Sequence, residues 1–172
     1  MTSTLTVSDG TGTDLQINGT LNMSSGGTLT NNGTAAFSST GVYNHSRSGG
    51  AIPIATWDVA SLCNVSGATS AFPANYAQTY GNFTWNGTSQ SGNLTINNNA
   101  FRVNGLFRLL STNGGNTFTM GGTTPGTYAN TLNSVSIEGG VFAIAYTSGV
   151  TSTTTVTNDM SISGTGEVRI NG

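Results

Sequence analysis

The stretch LQINGTLNM, residues 15–23, recurs at an offset of 86 residues as FRVNGLFRL, residues 101–109. In both copies apolar and polar residues alternate on either side of an Asn-Gly pair. Alternation with a period of two predicts short β-strands with one buried face. Asparagine and glycine both tolerate the left-handed backbone of a sharp corner. The repeated stretch therefore predicts short strands that meet at a corner.

The spacing of the Asn-Gly pairs predicts a stack of such units. The pairs lie at 18–19, 104–105 and 171–172, the last within the terminal VRING, and their separations are 86 and 67 residues. A coil of about 22 residues fits four turns into the first gap and three into the second. Strands this short suit a solenoid better than a sandwich. We predict an all-β parallel β-helix, a single domain over 1–172, with about eight short coils and a length of roughly 38 Å.

The apolar positions of the alternating units are the predicted core, because inward side chains of successive coils stack on one another. They are Leu5, Val7, Leu15, Ile17, Leu21, Met23, Phe37, Leu94, Ile96, Phe101, Val103, Phe107, Leu109, Phe118, Met120, Val135, Ile137, Phe142, Ile144, Val156, Ile162, Val168 and Ile170. Stacked asparagines can hydrogen-bond along the axis. This gives the twenty asparagines of the chain a structural role.

The segment at about 44–93 departs from this regularity. It contains both tryptophans, Pro53 and Pro73, and its glycines are further apart. Proline lacks the N–H that a ladder needs, so both prolines should lie at edges or turns. We interpret the segment as less regular coils with larger loops in the same domain.

Within this segment, GGAIPIATWDVASLCNVSG (49–67) and YGNFTWNGTSQSGNLTI (80–96) resemble a segment of repeat-rich, adhesin-like surface proteins of Bacteroidota, of the kind exported by type IX secretion. The matching residues are Gly49 to Pro53, Ala55 to Trp57, Cys63 to Gly67 and Gly81 to Asn86. The resemblance implies an extracellular, repeat-built protein and no catalytic residues. TSTLT after Met1 is not the pattern of a signal peptide, and the sequence lacks the sorting domain of the full family pattern, so secretion is an expectation from the resemblance.

Charge is scarce in this chain. Charged residues make up 6%, the net charge is −2, lysine is absent, and the arginines are Arg47, Arg102, Arg108 and Arg169. A nucleic-acid binder needs a basic patch to displace counterions, which four scattered arginines cannot form. No apolar run reaches the length of about 18 residues that indicates a membrane span. We expect neither nucleic-acid binding nor membrane insertion.

His45, Asp58 and Cys63 bring the residue types of a nucleophilic site into one stretch, and the chain has no other histidine or cysteine. A reactive cysteine needs a nearby histidine that a third group orients. No local signature of a cysteine protease surrounds these residues. Cys63 lies in an alternating strand pattern typical of a small buried residue. We interpret the three residues as structural and predict no enzymatic activity and no cofactor.

DGTGTDLQI (9–17) is similar to the calcium-binding nonapeptide of solenoid toxins, with Asp14 in the aspartate position. The apolar residues are out of phase, however, because Gln16 occupies the apolar position. Such sites also need tandem copies, since adjacent coils share each ion. We interpret the stretch as a Gly-rich turn and predict no metal site.

Two patterns leave ligand binding open. Aromatic rings suit amphipathic ligands, so a cluster of four can form a platform for sugar rings or fill the core. The four are Trp57, Tyr76, Tyr80 and Trp85. Threonines at alternate positions share a strand face, where stacked rows can bind ice or simply face solvent. These rows are Thr151, Thr153, Thr155 and Thr157, with shorter ones at Thr2, Thr4 and Thr6, at Thr28 and Thr30, and at Thr117 and Thr119.

Taken together, the sequence favours an extracellular, adhesin-like structural module that acts as a surface spacer or interaction rod without catalysis. Carbohydrate binding through exposed aromatic residues is the alternative, and ice binding is the third hypothesis. We expect a secreted or cell-surface location, with another surface protein or a glycan as partner. Because the end coils would expose open sheet edges, we also expect end-to-end self-association.

Overall fold

The computed structural model describes residues 2–145 and 148–170, which form a parallel β-helix of about seven turns. Strands make up 53% of the chain, and the described residues contain no helix. The predicted all-β solenoid is confirmed, with about seven coils where we expected about eight. It follows that no helix in the described part has the length and apolarity needed to cross a bilayer.

The strands of the described residues are short in the first half of the chain and long in the second. They are β1 (Ser3–Val7), β2 (Leu15–Ile17), β3 (Thr20–Met23), β4 (Gly27–Asn31), β5 (Ala35–Phe37), β6 (Val42–His45), β7 (Thr56–Trp57), β8 (Leu62–Val65), β9 (Thr79–Tyr80), β10 (Asn82–Asn86), β11 (Leu94–Thr95), β12 (Arg102–Ser111), β13 (Thr117–Thr119), β14 (Gly126–Ala143), β15 (Val150–Val156) and β16 (Met160–Arg169).

Each coil passes through three faces, and every strand pairs in parallel with strands of the neighbouring coils. Face 1 contains β3, β6, β8 and β10, then the later part of β12, the middle of β14 and the start of β16. Face 2 contains β2, β5, β7 and β9, then the starts of β12 and β14, and β15. Face 3 contains β1, β4, β11 and β13, then the ends of β14 and β16.

The inward side chains of face 1 form two continuous columns, because the strand register places like positions over one another. The first column is Leu21, Tyr43, Cys63, Phe83, Phe107, Val135 and Met160. The second is Met23, His45, Val65, Trp85, Leu109, Ile137 and Ile162. The chain's histidine and cysteine are thus members of core columns.

The predicted four-turn relation between the two copies of the repeat is confirmed. Leu21 reaches Phe107 through four successive strand pairs, in the register that the sequence alignment requires. The third copy does not stack on the other two. Val168 pairs with Phe142 in face 3, and Asn171 and Gly172 lie outside the described residues. The later coils are longer, which moves the final stretch out of phase with the first two.

The glycines of the repeated Asn-Gly corner have a different role from the one we expected. Gly19 and Gly105 are not among the described glycines with positive φ. They belong instead to a column of small residues at the corner between faces 2 and 1, in which the carbonyl of each of the first four residues accepts a backbone hydrogen bond from the following coil. The column is Gly19, Gly41, Ser61, Gly81 and Gly105. A Cβ at Gly41, Gly81 or Gly105 would collide with the preceding coil, so close approach of the coils selects glycine at these three positions, whereas Gly19 has open space around it.

The outward side of face 1 carries the expected asparagine ladder. Asn44 donates from Nδ2 to Asn22 Oδ1 at 2.8 Å, and Asn64 donates to Asn44 Oδ1 at 3.2 Å. The column continues through Thr84 to Arg108, whose guanidinium forms an ion pair with Glu138. Side-chain bonds therefore run along the axis in addition to the backbone ladder.

The predicted core is wrong at the two ends of the stack. Leu5, Ile162 and Ile170 are 52%, 55% and 83% exposed, because no further coil covers them among the described residues. Val7, Leu15, Leu21, Ile144, Val156 and Val168 are half-buried, and the other predicted core residues are buried. The largest buried side chains include Trp85, Tyr43 and Tyr80. Tyr43 was absent from the predicted core, whereas core filling was one of the two interpretations of Trp85 and Tyr80.

Candidate functional site

Face 3 is interrupted near the start of the stack. Strand β4 pairs with β1 in a separate two-stranded sheet, whereas the next coil on this face, at Ala51, is bridged to Ala74 on its far side. A cleft of about 590 Å³ opens between β4 and residues 51–56. We call it the Arg47 cleft. Its lining residues are Met23, Thr28, Leu29, Asn31, Gly33, Thr34, Ala35, Arg47, Ala51, Ile52, Pro53, Ile54, Ala55, Thr56 and Asn75.

Arg47 follows β6 and reaches back to the preceding coil, where its Nη1 donates to the carbonyl of Gly27. Its guanidinium lies directly over Gly50, where a Cβ would collide with it, and Gly50 has a φ of 75°. Its Nε is buried and has no hydrogen-bond partner. Neither ion pair formed by the described residues includes it. Arg47 is thus a half-buried cation without a counter-charge.

Asn31 supplies a second unused polar atom in the same cleft. Its Nδ2 donates to Gly33 O at 2.9 Å, while its Oδ1 is buried and has no partner. Burial of a polar atom without a hydrogen bond is unfavourable, so such atoms call for an explanation. The cleft therefore contains an unpartnered donor on Arg47 and an unpartnered acceptor on Asn31.

Apolar side chains surround these polar atoms. Ile52 and Pro53 are buried, while Ile54 at the mouth is 68% exposed. A second, shallower depression of about 390 Å³ shares Ile54, Ala55 and Thr56 with the Arg47 cleft and continues to Trp57. The two depressions together form a continuous surface from Arg47 to an indole ring.

The four predicted sugar-binding aromatics do not form an exposed platform. Tyr80 and Trp85 are fully buried, so for these two residues the core-filling interpretation is confirmed and the sugar-platform alternative is wrong. Trp85 lies in a core column and donates from Nε1 to Gln90 Oε1 at 3.1 Å. Tyr76 is half-buried against Phe72. Tyr80 and Trp85 are buried because their positions in strands β9 and β10 point inward. The sequence spacing alone did not decide between this direction and an outward one.

Of the four aromatic residues, Trp57 lines the shallower depression. Its ring stacks on Phe37 with centroids 4.0 Å apart, and its Nε1 donates to Gln78 Oε1 at 3.3 Å. These contacts fix the ring, and it remains half-exposed beside Thr56 and Thr79. The Tyr80 ring of the following coil lies 5.2 Å from the indole, centroid to centroid, so aromatic rings of both neighbouring coils pack on Trp57. Only the part of the indole that lines the depression is accessible to a ligand.

The His45, Asp58 and Cys63 group is built into the scaffold. His45 donates from Nε2 to Gly49 O at 2.8 Å, and its Nδ1 lies 2.9 Å from the Tyr43 hydroxyl. Burial lowers the pKa of His45 and raises that of the Cys63 thiol, so both groups stay neutral. Asp58 is exposed and accepts a bond from Ala60 N at 2.9 Å. These contacts explain all three residues by packing and turn formation.

Asp14 braces two coils. Its Oδ2 accepts bonds from Thr34 N at 2.7 Å and from Thr34 Oγ1 at 3.1 Å. The bonds from Thr34 hold the pKa of this carboxyl below its usual value, so it is ionised at neutral pH. Among the described residues, no group of three or more His, Cys, Asp or Glu is placed to hold a metal.

Some predicted threonine rows align across two coils. Thr4 and Thr6 pair with Thr28 and Thr30, and all four are exposed. At the other end, Thr151 and Thr155 pair with Thr127 and Thr131, but Thr153 lies opposite Ala129. Thr117 and Thr119 are buried, so they belong to the core instead of an outward row.

The Arg47 cleft was missed by sequence reasoning. Its polar lining residues Asn31 and Arg47 are 16 positions apart, and the apolar wall lies further along the chain. One signal was present: Arg47 is the only formally charged residue between Asp14 and Asp58. An isolated arginine in an apolar and hydroxyl-rich region indicates a specific contact for that charge.

Comparison with protein-family models, curated proteins and solved structures gives no match to this chain.

Proposed function

We propose that this chain is a non-catalytic structural module of an extracellular, adhesin-like protein, in which it acts as a rigid spacer or interaction rod. The observation that carries the proposal is the unbroken parallel ladder of face 1, from β3 through β16, over two columns of side chains that are buried in the middle coils. Such a stack transmits force from coil to coil because each coil is bonded to the next. The resemblance of residues 49–67 and 80–96 to Bacteroidota surface proteins supports the extracellular location.

The spacer role requires that the two ends of the stack stay at a fixed separation. Spin labels on Thr4→Cys and Thr157→Cys test this, since both positions are exposed and the native Cys63 is buried. We expect one narrow distance distribution at roughly 30–40 Å, from coils about 4.8 Å apart. The same protein in urea provides the broad reference. A broad distribution under native conditions would contradict a rigid spacer.

Carbohydrate binding is the second candidate, and the half-exposed Trp57 beside its depression favours it. The accessible part of the indole offers apolar surface, and the neighbouring Thr56 and Thr79 offer hydroxyls. A glycan array on wild type and Thr56→Val tests it. We expect wild-type signals that the variant weakens, because the hydroxyl at the edge of the depression is lost. Equal signals from both proteins would count against this surface.

Ice binding is a third candidate, and the exposed two-coil array of Thr4, Thr6, Thr28 and Thr30 favours it. An ice-recrystallisation assay of wild type against Thr28→Tyr, whose ring interrupts the array, tests it. Inhibition by wild type that the variant lacks is the expected result. Absence of inhibition by wild type removes this candidate.

We also propose that copies associate end to end. The columns of face 1 finish in Met160 and Ile162, which are 42% and 55% exposed. Strand β16 pairs with β14 and leaves its outer edge open in the described residues. Open edges and apolar column ends both favour another coil as the covering partner.

A further inference from the structure

The half-buried charge of Arg47 is unused within the described protein. A cation removed from water is stabilised by an anion at hydrogen-bond distance, and a guanidinium matches a carboxylate in a paired geometry. The bond from Nη1 to Gly27 O supplies a partial charge, not a full one. A bound carboxylate would supply the missing charge.

We propose that the Arg47 cleft binds a uronic acid residue of an acidic oligosaccharide, with the carboxylate on Arg47 and the adjoining sugar ring against Trp57. The inference goes beyond the spacer function and stands independently of it. The cleft volume of about 590 Å³ accommodates a sugar ring, since small-molecule pockets span about 300–1,000 Å³.

The polar atoms of the cleft match a ligand that has a carboxylate at one end and hydroxyls at the other. Nε of Arg47 is covered in the free protein, so the guanidinium turns to present it when the carboxylate enters. Nε has no partner to lose in that turn, whereas Nη1 exchanges its bond to Gly27 O for one to the carboxylate. Oδ1 of Asn31 accepts from a sugar hydroxyl, because it is an acceptor without a donor. Asp14, ionised and bonded to Thr34 at the rim, disfavours the carboxylate at that side.

The surface beyond the cleft favours a sugar chain over a peptide carboxyl terminus. Ile54, Ala55 and Thr56 connect the cleft to the depression at Trp57, so a second ring can follow the first. A sugar ring has apolar C–H surface and hydroxyls, which match the accessible part of Trp57 and its threonine neighbours at the depression. We therefore expect affinity to rise with the length of the oligosaccharide.

Titration of the protein with tri-galacturonate, followed by ¹H–¹⁵N NMR, tests the proposal. The chain has four arginines, so the Nε–H region contains four side-chain signals, and the one from Arg47 is assigned in wild type by through-bond correlation to its backbone amide. We expect saturable shifts of that signal in wild type. The trimethyl ester of the same trisaccharide should bind about tenfold more weakly or worse, because it lacks the charge.

Matched variants separate the cleft from general charge. Arg47→Gln should weaken binding about tenfold or more, and Arg108→Gln, on exposed face 1, should leave it within about twofold. Thermal unfolding checks that both variants fold. If Arg47→Gln does not fold, the shifts of the Arg47 Nε–H signal in wild type still test the proposal. No saturable shift up to about 10 mM, equal binding of the ester, or a shift at another arginine would overturn the proposal. Binding of N-acetyl-triglycine as tight as that of the trisaccharide would overturn the sugar assignment. The end-to-end distance measurement is unaffected by any of these results.

Discussion

At the residue scale, His45 shows how a titratable group becomes part of a core column. It lies between Met23 below and Val65 above, and its ring nitrogens meet the Tyr43 hydroxyl and the Gly49 carbonyl. Its neutral form satisfies both contacts, and its charged form would have to be buried. Burial is accordingly the main cause of its lowered pKa, with the nearby charge of Arg47 acting in the same direction.

We expect the free energy of unfolding to fall as the pH drops below about 6.5, the ordinary pKa of histidine. In that range the unfolded chain binds a proton that the folded His45 does not, so stability must increase with pH. Urea unfolding between about pH 5.5 and 7.5 measures this. His45→Gln keeps a polar side chain without titrating there, and its profile should be flatter. Identical slopes in the two proteins would show that His45 is not the cause.

Cys63 lies between Tyr43 and Phe83 in the first core column, where its side chain is smaller than both, and it is fully buried. Burial raises the pKa of its thiol, which disfavours the thiolate. We expect native protein to react with a thiol reagent slower than urea-unfolded protein by about a thousandfold or more, because reaction requires opening of the coil. Fast labelling of native protein would contradict this burial.

Substitution of Cys63 tests the same packing. Cys63→Ser should be less stable than Cys63→Ala by about 1–3 kcal/mol, since the serine hydroxyl is buried where no partner is provided. The alanine variant removes the sulfur without adding a polar group and is the matched control. Urea midpoints of the two variants supply the comparison, and equal midpoints would mean that water reaches this position.

At the element scale, the corner column between faces 2 and 1 sets how closely successive coils approach. A Cβ at Gly81 would collide with the backbone carbonyl of Asp58, and backbone cannot move aside as a flexible side chain does. The corner therefore explains the glycine of the second copy, FRVNGLFRL, because a Cβ at Gly105 would collide with the carbonyl of Gly81. In one coil Ser61 occupies the corner and donates to Asp58 O at 2.6 Å.

Gly81→Ala should destabilise the protein by about 1–3 kcal/mol through this overpacking. Gly92→Ala is the control, because a Cβ at Gly92 meets nothing within 4 Å. We expect the control to change stability by no more than about 0.5 kcal/mol. Thermal or urea unfolding measures both. A tolerated Gly81→Ala would mean that the corner is looser than its hydrogen bonds indicate.

Faces 1 and 3 differ in continuity, and this difference positions the Arg47 cleft. Face 1 is paired in every coil from β3 to β16, whereas face 3 is interrupted between β4 and Ala51. Residues 46–55 contain no strand, so the backbone there is free to turn outward around Arg47 and Gly50. An interruption on one face leaves the other two faces to hold the coils together.

At the scale of the whole molecule, the end coil exposes an apolar surface that the middle coils bury. If copies stack end to end, the mass measured by sedimentation should rise with concentration, and Ile162→Arg should suppress the rise. Val59→Arg is the control, because Val59 is 59% exposed on an outward position away from the end coil. A concentration-independent monomer mass in wild type would contradict end-to-end association.

The sequence by itself determined the coil and its register. Alternation of apolar residues identified the inward side of each strand, and the offset of 86 residues placed Leu21 and Met23 in line with Phe107 and Leu109. Both signals are local, because they depend on the two-residue period of a strand and on a repeated unit. The interpretation of Cys63 as a buried residue was likewise available from its strand pattern.

Contacts between coils determine which positions are covered and where a cleft opens. Periodicity gives the direction of a side chain but not whether another coil lies against it, so Leu5 and Ile162 have core phase and are exposed. The Arg47 cleft depends on the missing pairing between β4 and residues 51–56, which is set by the path of a loop. A loop path results from contacts between coils that are distant in sequence, and no local pattern encodes it.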